Sequence, residues 1–145
     1  MAMNRLIWSA LLVLFASLPL TAFAEEKDND PFDGRLFAPE LIMANRNAIG
    51  LTSEQNKRIG ELVVAVQQAV AGRTWEMQSA YFELMEVLEE PMVDEDRAIA
   101  LAKQAVDSET EIKLEQMRLL IRLRNLLTPE QVAVLQAKRA EMRGG

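Results

Sequence analysis

The sequence predicts an all-α protein built on a long antiparallel helical hairpin with short flanking helices. Apolar residues recur at helical spacing through most of residues 53–126, and only the segment around Pro91 interrupts them. The same helix-start signal, Leu-Thr-x-x-Gln, stands on either side of that stretch, at residues 51–55 and 127–131. Two long helices joined by a short loop fold back on each other, so the pair is expected to be antiparallel.

The first 24 residues have the composition of an export signal. Arg5 carries the only charge, residues 6–20 are almost wholly apolar, and residues 21–24 give the small-x-small pattern of a cleavage site. The apolar run is shorter than the roughly 20 residues that span a bilayer, so no stable membrane insertion is expected after cleavage. We predict cleavage after Ala24 and a periplasmic location.

The rest of the chain divides at local signals. Pro39 at a first-turn position and Gly50 at a stop position predict a short helix that ends at Gly50. Pro91 ends one long helix, and Asp94 caps the next. The predicted parts are a flexible acidic lead-in over residues 25–36 and one helical domain over residues 37–143, with later helices over residues 53–89, 95–126 and 129–142.

Both Leu-Thr-x-x-Gln segments are expected to be capping boxes. The threonine side chain accepts a hydrogen bond from the backbone N–H of the glutamine, whose side chain reaches back to the threonine N–H. In the second segment the leucine is also placed to pack against Val132 as a hydrophobic staple. The residues with this structural role are Leu51, Thr52 and Gln55 in the first segment and Leu127, Thr128 and Gln131 in the second.

Each long helix carries two apolar stripes, and a single hairpin buries only one stripe of each helix. The others need the short helices, a second subunit or a binding partner to cover them. The stripes expected to face the other helix contain Ile59, Leu62, Val66, Ala69, Val70, Met77, Ala80, Leu84, Val87 and Leu88 on the first long helix, and Ile99, Ala102, Val106, Met117 and Leu120 on the second. The other stripes contain Val64, Ala71, Trp75 and Phe82 on the first, and Leu101, Ala105, Ile112, Leu119, Leu123 and Leu126 on the second.

One charged residue, Arg73, lies on the predicted seam of the first long helix. Folding the hairpin about Pro91 brings it near Glu109 on the second. We therefore predict an Arg73–Glu109 ion pair that fixes the register of the two helices and has a structural role only.

The composition excludes most enzyme classes. The chain has no Cys and no His, so it has no disulfide, Cys/His zinc site, thiol nucleophile or Ser-His-Asp triad. It has no phosphate-binding loop or nucleophile elbow either. We therefore expect no enzymatic activity, no cofactor and no metal site, and the net charge of −6 argues against nucleic acid as a partner.

Charge is unevenly spread along the chain. Residues 25–112 hold eight basic and 19 acidic side chains, whereas residues 113–145 hold seven basic and three acidic ones. The basic and apolar segment at residues 118–126 is either a cationic apolar surface for unfolded acidic chains or a plain helix whose arginines extend over the edge of a core. The segment contains Arg118, Leu119, Arg122, Leu123, Arg124 and Leu126.

The two Leu-Thr-x-x-Gln segments, flanking a long hairpin behind an export signal, resemble the Spy/CpxP family of periplasmic proteins over residues 37–140. The resemblance implies a cradle-like homodimer that acts as an ATP-independent chaperone or as an envelope-stress and heavy-metal-responsive protein. It also implies client binding on the concave helical face. The candidate client-binding residues are then Arg118, Leu119, Arg122, Leu123, Arg124 and Leu126, together with Trp75 and Phe82 from the other helix. The heavy-metal-sensor and zinc-resistance-associated branch uses His-rich ligand sets, from which this sequence departs because it has no His.

The sequence thus predicts an ATP-independent periplasmic holdase that shields unfolded or misfolded proteins on an amphipathic helical surface. Two alternatives stay open. A regulatory module would bind the sensor domain of a membrane stress-signalling protein and would have one saturable partner. A heavy-metal sensor would use methionine thioethers for Cu(I) or carboxylates for harder ions, although methionine at helical spacing more often fills a core.

Overall fold

The computed structural model describes residues 32–144, in which four helices and no strand occur, so the all-α prediction is confirmed. The predicted export signal, its cleavage after Ala24 and most of the lead-in lie outside the described residues. From Asp33 onward the helices belong to one compact unit. In chain order they are α1 (Pro39–Ala44), α2 (Ser53–Leu88), α3 (Glu95–Leu126) and α4 (Pro129–Gly144).

Helices α2 and α3 pack against each other and form the predicted hairpin. With 36 and 32 residues, they are each about 50 Å long. The connecting loop contains Pro91, and the Asp94 side chain caps α3 by accepting a hydrogen bond from the backbone N–H of Arg97 at 3.1 Å. From α2 onward the helix bounds agree with the predicted ones within two residues.

The first helix is shorter than expected. It ends at Ala44 rather than at Gly50, because the side-chain amide of Asn45 donates a hydrogen bond to the Leu41 carbonyl at 2.8 Å and competes with a further helical turn. The chain then continues through turns to Gly50, whose φ of +59° is a left-handed conformation that glycine adopts without strain. Gly50 therefore ends a turn, not a helix.

The packing seam follows most of the predicted stripe of α2 and corrects that of α3. Two residues of the predicted α2 stripe, Ala69 and Leu88, are exposed instead, because they lie at its edges. In the predicted stripe of α3, Ile99 is 63 % exposed and Val106 is 52 % exposed, so these two residues face outward. The other three, Ala102, Met117 and Leu120, are half-buried. On α2 the buried residues all come from the predicted stripe and are Ile59, Val66, Ala80 and Val87. On α3 they are Ala98, Ala105, Ser108, Leu119 and Leu123.

The size of the side chains explains which stripe of α3 turns inward, since both stripes are apolar. The inward stripe is small at Ala98, Ala105 and Ser108, where only two helices meet, and small side chains let helix axes approach closely. It is large at Leu119 and Leu123, where other segments join the hairpin. The branched side chains of the other stripe would hold the two helices apart.

The hydrophobic core lies at the base of the hairpin, which we define as the end where α2 begins and α3 ends. There the segments before and after the hairpin pack onto it. The distal half, which we define as residues 73–111, contains the loop and only the two helices. The core residues are Phe37, Ile42, Ile49, Ile59, Val66, Leu119, Leu123, Leu127, Val132 and Leu135.

Both predicted capping boxes form. The Thr52 hydroxyl accepts a hydrogen bond from the Gln55 N–H at 3.1 Å, and the Gln55 side-chain oxygen accepts one from the Thr52 N–H at 3.1 Å. Thr128 and Gln131 make the same two bonds at 3.2 and 3.0 Å. The leucine that precedes Thr128 is buried together with Val132, as the predicted staple requires.

The two glutamines also bond to each other and hold the base together. The Gln131 amide donates to the Gln55 side-chain oxygen at 2.9 Å, and the Gln55 amide donates to the Gln131 oxygen at 2.8 Å. Across the base, Gln55 donates to the Leu126 carbonyl at 2.8 Å and Gln131 donates to the Ile49 carbonyl at 3.2 Å. The motif that occurs twice in the sequence is therefore one hydrogen-bonded joint between the starts of α2 and α4.

Candidate functional site

Two of the candidate client-binding residues of α3 lie in the core. Leu119 is 5 % exposed, and Leu123 is completely buried at the base. Neither residue is accessible to a client in this structure, which corrects the expectation that they line a binding surface. The reason is that α3 turns inward the stripe that was expected to face outward.

The remaining residues of that segment differ in their exposure. Leu126 and Arg124 are half-buried, whereas Arg118 and Arg122 are exposed. Arg118 is also ion-paired with Glu115 on its own helix. Exposed arginines above buried leucines match the interpretation of the segment as a plain helix at the edge of a core, not that of a cationic apolar surface.

The predicted Arg73–Glu109 ion pair does not form. The Arg73 guanidinium binds Glu76 on its own helix at 2.8 Å, and Glu109 binds Lys113 at 2.8 Å. The hydrogen bond with Glu76 raises the pKa of Arg73 above its ordinary value, and the charge of Glu111 acts in the same direction. Because α3 is rotated relative to the expectation, Arg73 faces the flank that carries Glu111, and Glu109 lies on the other flank.

A shallow polar groove runs between α2 and α3 on one side of the distal half. Its lining mixes both signs of charge with small and amide side chains. The groove therefore marks the side of the hairpin on which the helices present their polar flanks. The lining residues are Arg73, Glu76, Ala100, Lys103, Gln104, Asp107, Ser108 and Glu111.

Large apolar side chains cover the opposite side of the distal half. Counted at about 100° per residue from the polar groove, Tyr81 and Leu88 fall on the other flank of α2, and Ile99 and Val106 fall on the other flank of α3. The apolar surface continues from there around the back of α2. We call this surface the distal apolar face, and its residues, which are 42–72 % exposed, are Trp75, Tyr81, Phe82, Met85, Leu88, Ile99 and Val106.

Residues of the distal apolar face recur at a spacing of seven. This spacing brings side chains back to the same side of a helix. The sequence identified Trp75 and Phe82 as part of an uncovered stripe, and their exposure confirms that placement. Ile99 and Val106 were assigned to the seam instead. These two residues have the same spacing of seven as the exposed pairs of α2, and this shared spacing was a signal that could have identified them. The three pairs are Trp75 with Phe82, Tyr81 with Leu88, and Ile99 with Val106.

The distal half as a whole, which carries the distal apolar face on one side and the polar groove on the other, is acidic. Residues 73–111 hold eleven acidic and three basic side chains. The exposed apolar surface and the basic end of the chain are therefore different places, contrary to the expectation of one cationic apolar surface. A partner with positive charge is favoured at the distal half.

The segment before α1 is tied to α4. The Asp33 carboxylate accepts hydrogen bonds from Arg139 Nε at 2.6 Å and from Arg143, although Asp33 belongs to the stretch predicted as a flexible lead-in. The Gly34 carbonyl accepts a hydrogen bond from the Gln136 amide at 2.8 Å. The hydrogen bond from Arg139 lowers the pKa of Asp33 below its ordinary value, even though burial acts in the opposite direction.

The substitution Asp33→Asn is expected to lower the free energy of unfolding at pH 7 by about 1 kcal/mol, because two hydrogen bonds lose their charge. A carboxylate whose pKa is lowered by folding stabilises the fold above its ordinary pKa, and this stabilisation is lost as the pH falls through the lowered value. Urea unfolding of both proteins from pH 7 to pH 2 should show their difference shrinking in acid. A difference that stays constant over this range would contradict the assigned role of the ion pairs.

Comparison of the chain with protein-family models, curated proteins and solved structures finds no match. In residues 32–144 no helix has the length and apolar character needed to cross a membrane. In the same part of the chain, no three His, Cys, Asp or Glu side chains are grouped as metal ligands. Function is therefore inferred from the chemistry of the distal apolar face.

Proposed function

We propose that this protein is an ATP-independent periplasmic chaperone, a holdase that acts as a homodimer and binds unfolded proteins on its distal apolar face. The observation that supports the proposal is the exposure of seven large apolar side chains in the distal half, along one flank of the hairpin and around the back of α2. Soluble proteins rarely expose a large contiguous apolar surface unless it binds something. The helical core at the base holds this surface in place without contributing to it.

Binding on this face needs neither nucleotide nor catalysis. An unfolded client gains about 25 cal/mol for each Å² of apolar surface that it buries, and the cost of ordering both partners offsets much of that gain. The affinity is therefore expected to be moderate. Moderate affinity suits a holdase, because a client must leave the surface before it can fold.

The double substitution Trp75→Ser and Phe82→Ser is expected to weaken protection of an aggregating client by at least about tenfold, because two exposed rings lose their contact with the client. The free energy of unfolding should change by less than about 1 kcal/mol, since neither ring belongs to the core. Light scattering of an unfolding client, in ATP-free buffer with a chelator, measures the protection.

The matched control is Met142→Ser, which removes an exposed apolar side chain from α4, outside the distal apolar face. This variant should protect clients as well as the wild type does. If the wild type suppresses no aggregation at stoichiometric amounts, the holdase proposal is wrong. If the double variant protects as well as the wild type, clients bind elsewhere.

A further inference from the structure

On the side of the distal apolar face, the hairpin is covered at its base and open in its distal half. At the base Val63 and Val70 of α2 pack against the core, which includes Phe37 from outside the hairpin. Because 18 residues make five helical turns, Tyr81 lies on the same flank of α2 as Val63, and Leu88 lies on the same flank as Val70. Among the described residues, other segments of the chain thus cover this flank of the two helices at the base, and none covers it in the distal half.

The spacing of the exposed residues favours a helix as the missing layer. Rows of apolar side chains at a spacing of seven match the periodicity of a helix packed along a hairpin. An extended chain repeats every two residues and matches such rows poorly. Since Tyr81 and Leu88 of α2 lie on the same flank of the hairpin as Ile99 and Val106 of α3, a partner helix laid along this flank contacts both helices and completes a three-helix bundle.

The charge of the distal half favours a basic partner. Eleven acidic side chains against three basic ones create a negative field around an apolar surface. Lysine and arginine at the edges of a bound helix are attracted by this field. A second copy of this chain, laid face to face, would instead bring two acidic distal halves together.

We infer that the distal apolar face binds an amphipathic helix whose apolar stripe is bordered by lysine or arginine. Residues 73–88 of α2 extend over about 24 Å, which matches a partner helix of about 16 residues. The inference rests on the proposed function, because it names the segments of a client that the chaperone binds. Clients are then selected by segments that form basic amphipathic helices, not by apolar content alone.

Three synthetic peptides of 16 residues test the inference. The first places Leu and Lys in an amphipathic helical pattern, the second has the same composition in scrambled order, and the third replaces Lys by Glu. Calorimetric titration into the full chain should give at least about tenfold tighter binding for the first peptide than for the others. Circular dichroism should show that the first peptide becomes helical on binding, and added salt should weaken its binding.

Variants locate the site. A Tyr81→Ser/Val106→Ser protein, which changes one exposed side chain of each helix on the shared flank, should lose the preference for the first peptide, and Met142→Ser should keep it. Equal binding of the scrambled peptide or of the Glu peptide overturns the inference, as does binding without helix formation. Sedimentation that shows a dimer of the wild type but a monomer of the Tyr81→Ser/Val106→Ser protein, with no dissociation by the first peptide, also overturns it, because a second copy would then occupy this face.

The two proposals fail separately. If the chain protects unfolded clients but shows no preference among the peptides, the inference is wrong and the holdase proposal stands. If it binds the first peptide as expected but protects no client, the inferred ligand class stands and the holdase proposal is wrong.

Discussion

Replacing Leu123 by alanine is expected to lower the free energy of unfolding by about 3–5 kcal/mol. The Leu123 side chain has no exposed surface and lies in the core at the base. Alanine therefore removes buried apolar volume from the place where the hairpin meets the segments around it. The neighbouring helices are fixed by the glutamine joint and have little freedom to close the cavity, which places the effect in the upper part of the usual range.

Leu114→Ala is the matched control, since Leu114 lies on the same helix with 43 % of its surface exposed. It should change the free energy of unfolding by less than about 1 kcal/mol. Urea unfolding followed by circular dichroism at 222 nm measures both variants. Equal effects of the two substitutions would contradict the assignment of the inward stripe of α3. If Leu123→Ala has the larger effect, as expected, weaker client protection by Leu119 or Leu123 variants reflects unfolding and not the loss of a binding residue.

The second large effect is expected from Gln131→Leu, which should lower the free energy of unfolding by about 2–4 kcal/mol. Leucine keeps most of the volume but donates no hydrogen bond to the Ile49 carbonyl or to Gln55. It also leaves the Thr128 N–H without its acceptor. Buried polar groups that lose their partners cost more than the hydrogen bonds themselves contribute.

A double-mutant cycle measures the coupling between the two glutamines separately from the contribution of each capping box. Because Gln55 and Gln131 bond to each other, Gln55→Leu together with Gln131→Leu should cost less than the sum of the single substitutions, by about 1 kcal/mol or more. Gln68→Leu, at an exposed position of α2, is the control and should have little effect. Strict additivity of Gln55→Leu and Gln131→Leu would mean that the two capping boxes act independently.

Local signals in the sequence were sufficient to predict the hairpin, its loop and both capping boxes. Thr52, Asp94 and Thr128 each lie within a few residues of the groups that they cap. The joint between the boxes was not predicted, since it unites Gln55 and Gln131 across 76 residues of chain. No local pattern encodes which two helix starts will meet.

The rotation of α3 was not predictable from hydropathy either. Both of its stripes are apolar, and the choice between them depends on how closely the helices approach at Ala105 and Ser108. The wrong choice of stripe explains three wrong predictions. These are the Arg73–Glu109 ion pair, the exposure of Leu123 and the burial of Ile99. The exposure of Trp75 and Phe82 was predicted correctly, because the buried residues of α2 all come from its other stripe.

The central claim is that clients bind the distal apolar face, and the fluorescence of Trp75 tests it most directly. The sequence has two tryptophans, Trp8 and Trp75, so a chain that begins at Glu25 carries only Trp75. Titration with an unfolded client that lacks tryptophan should shift the Trp75 emission to shorter wavelength and protect it from acrylamide, as the exposed ring becomes buried. Protection of the client from aggregation, with unchanged emission and quenching of Trp75, would contradict the account.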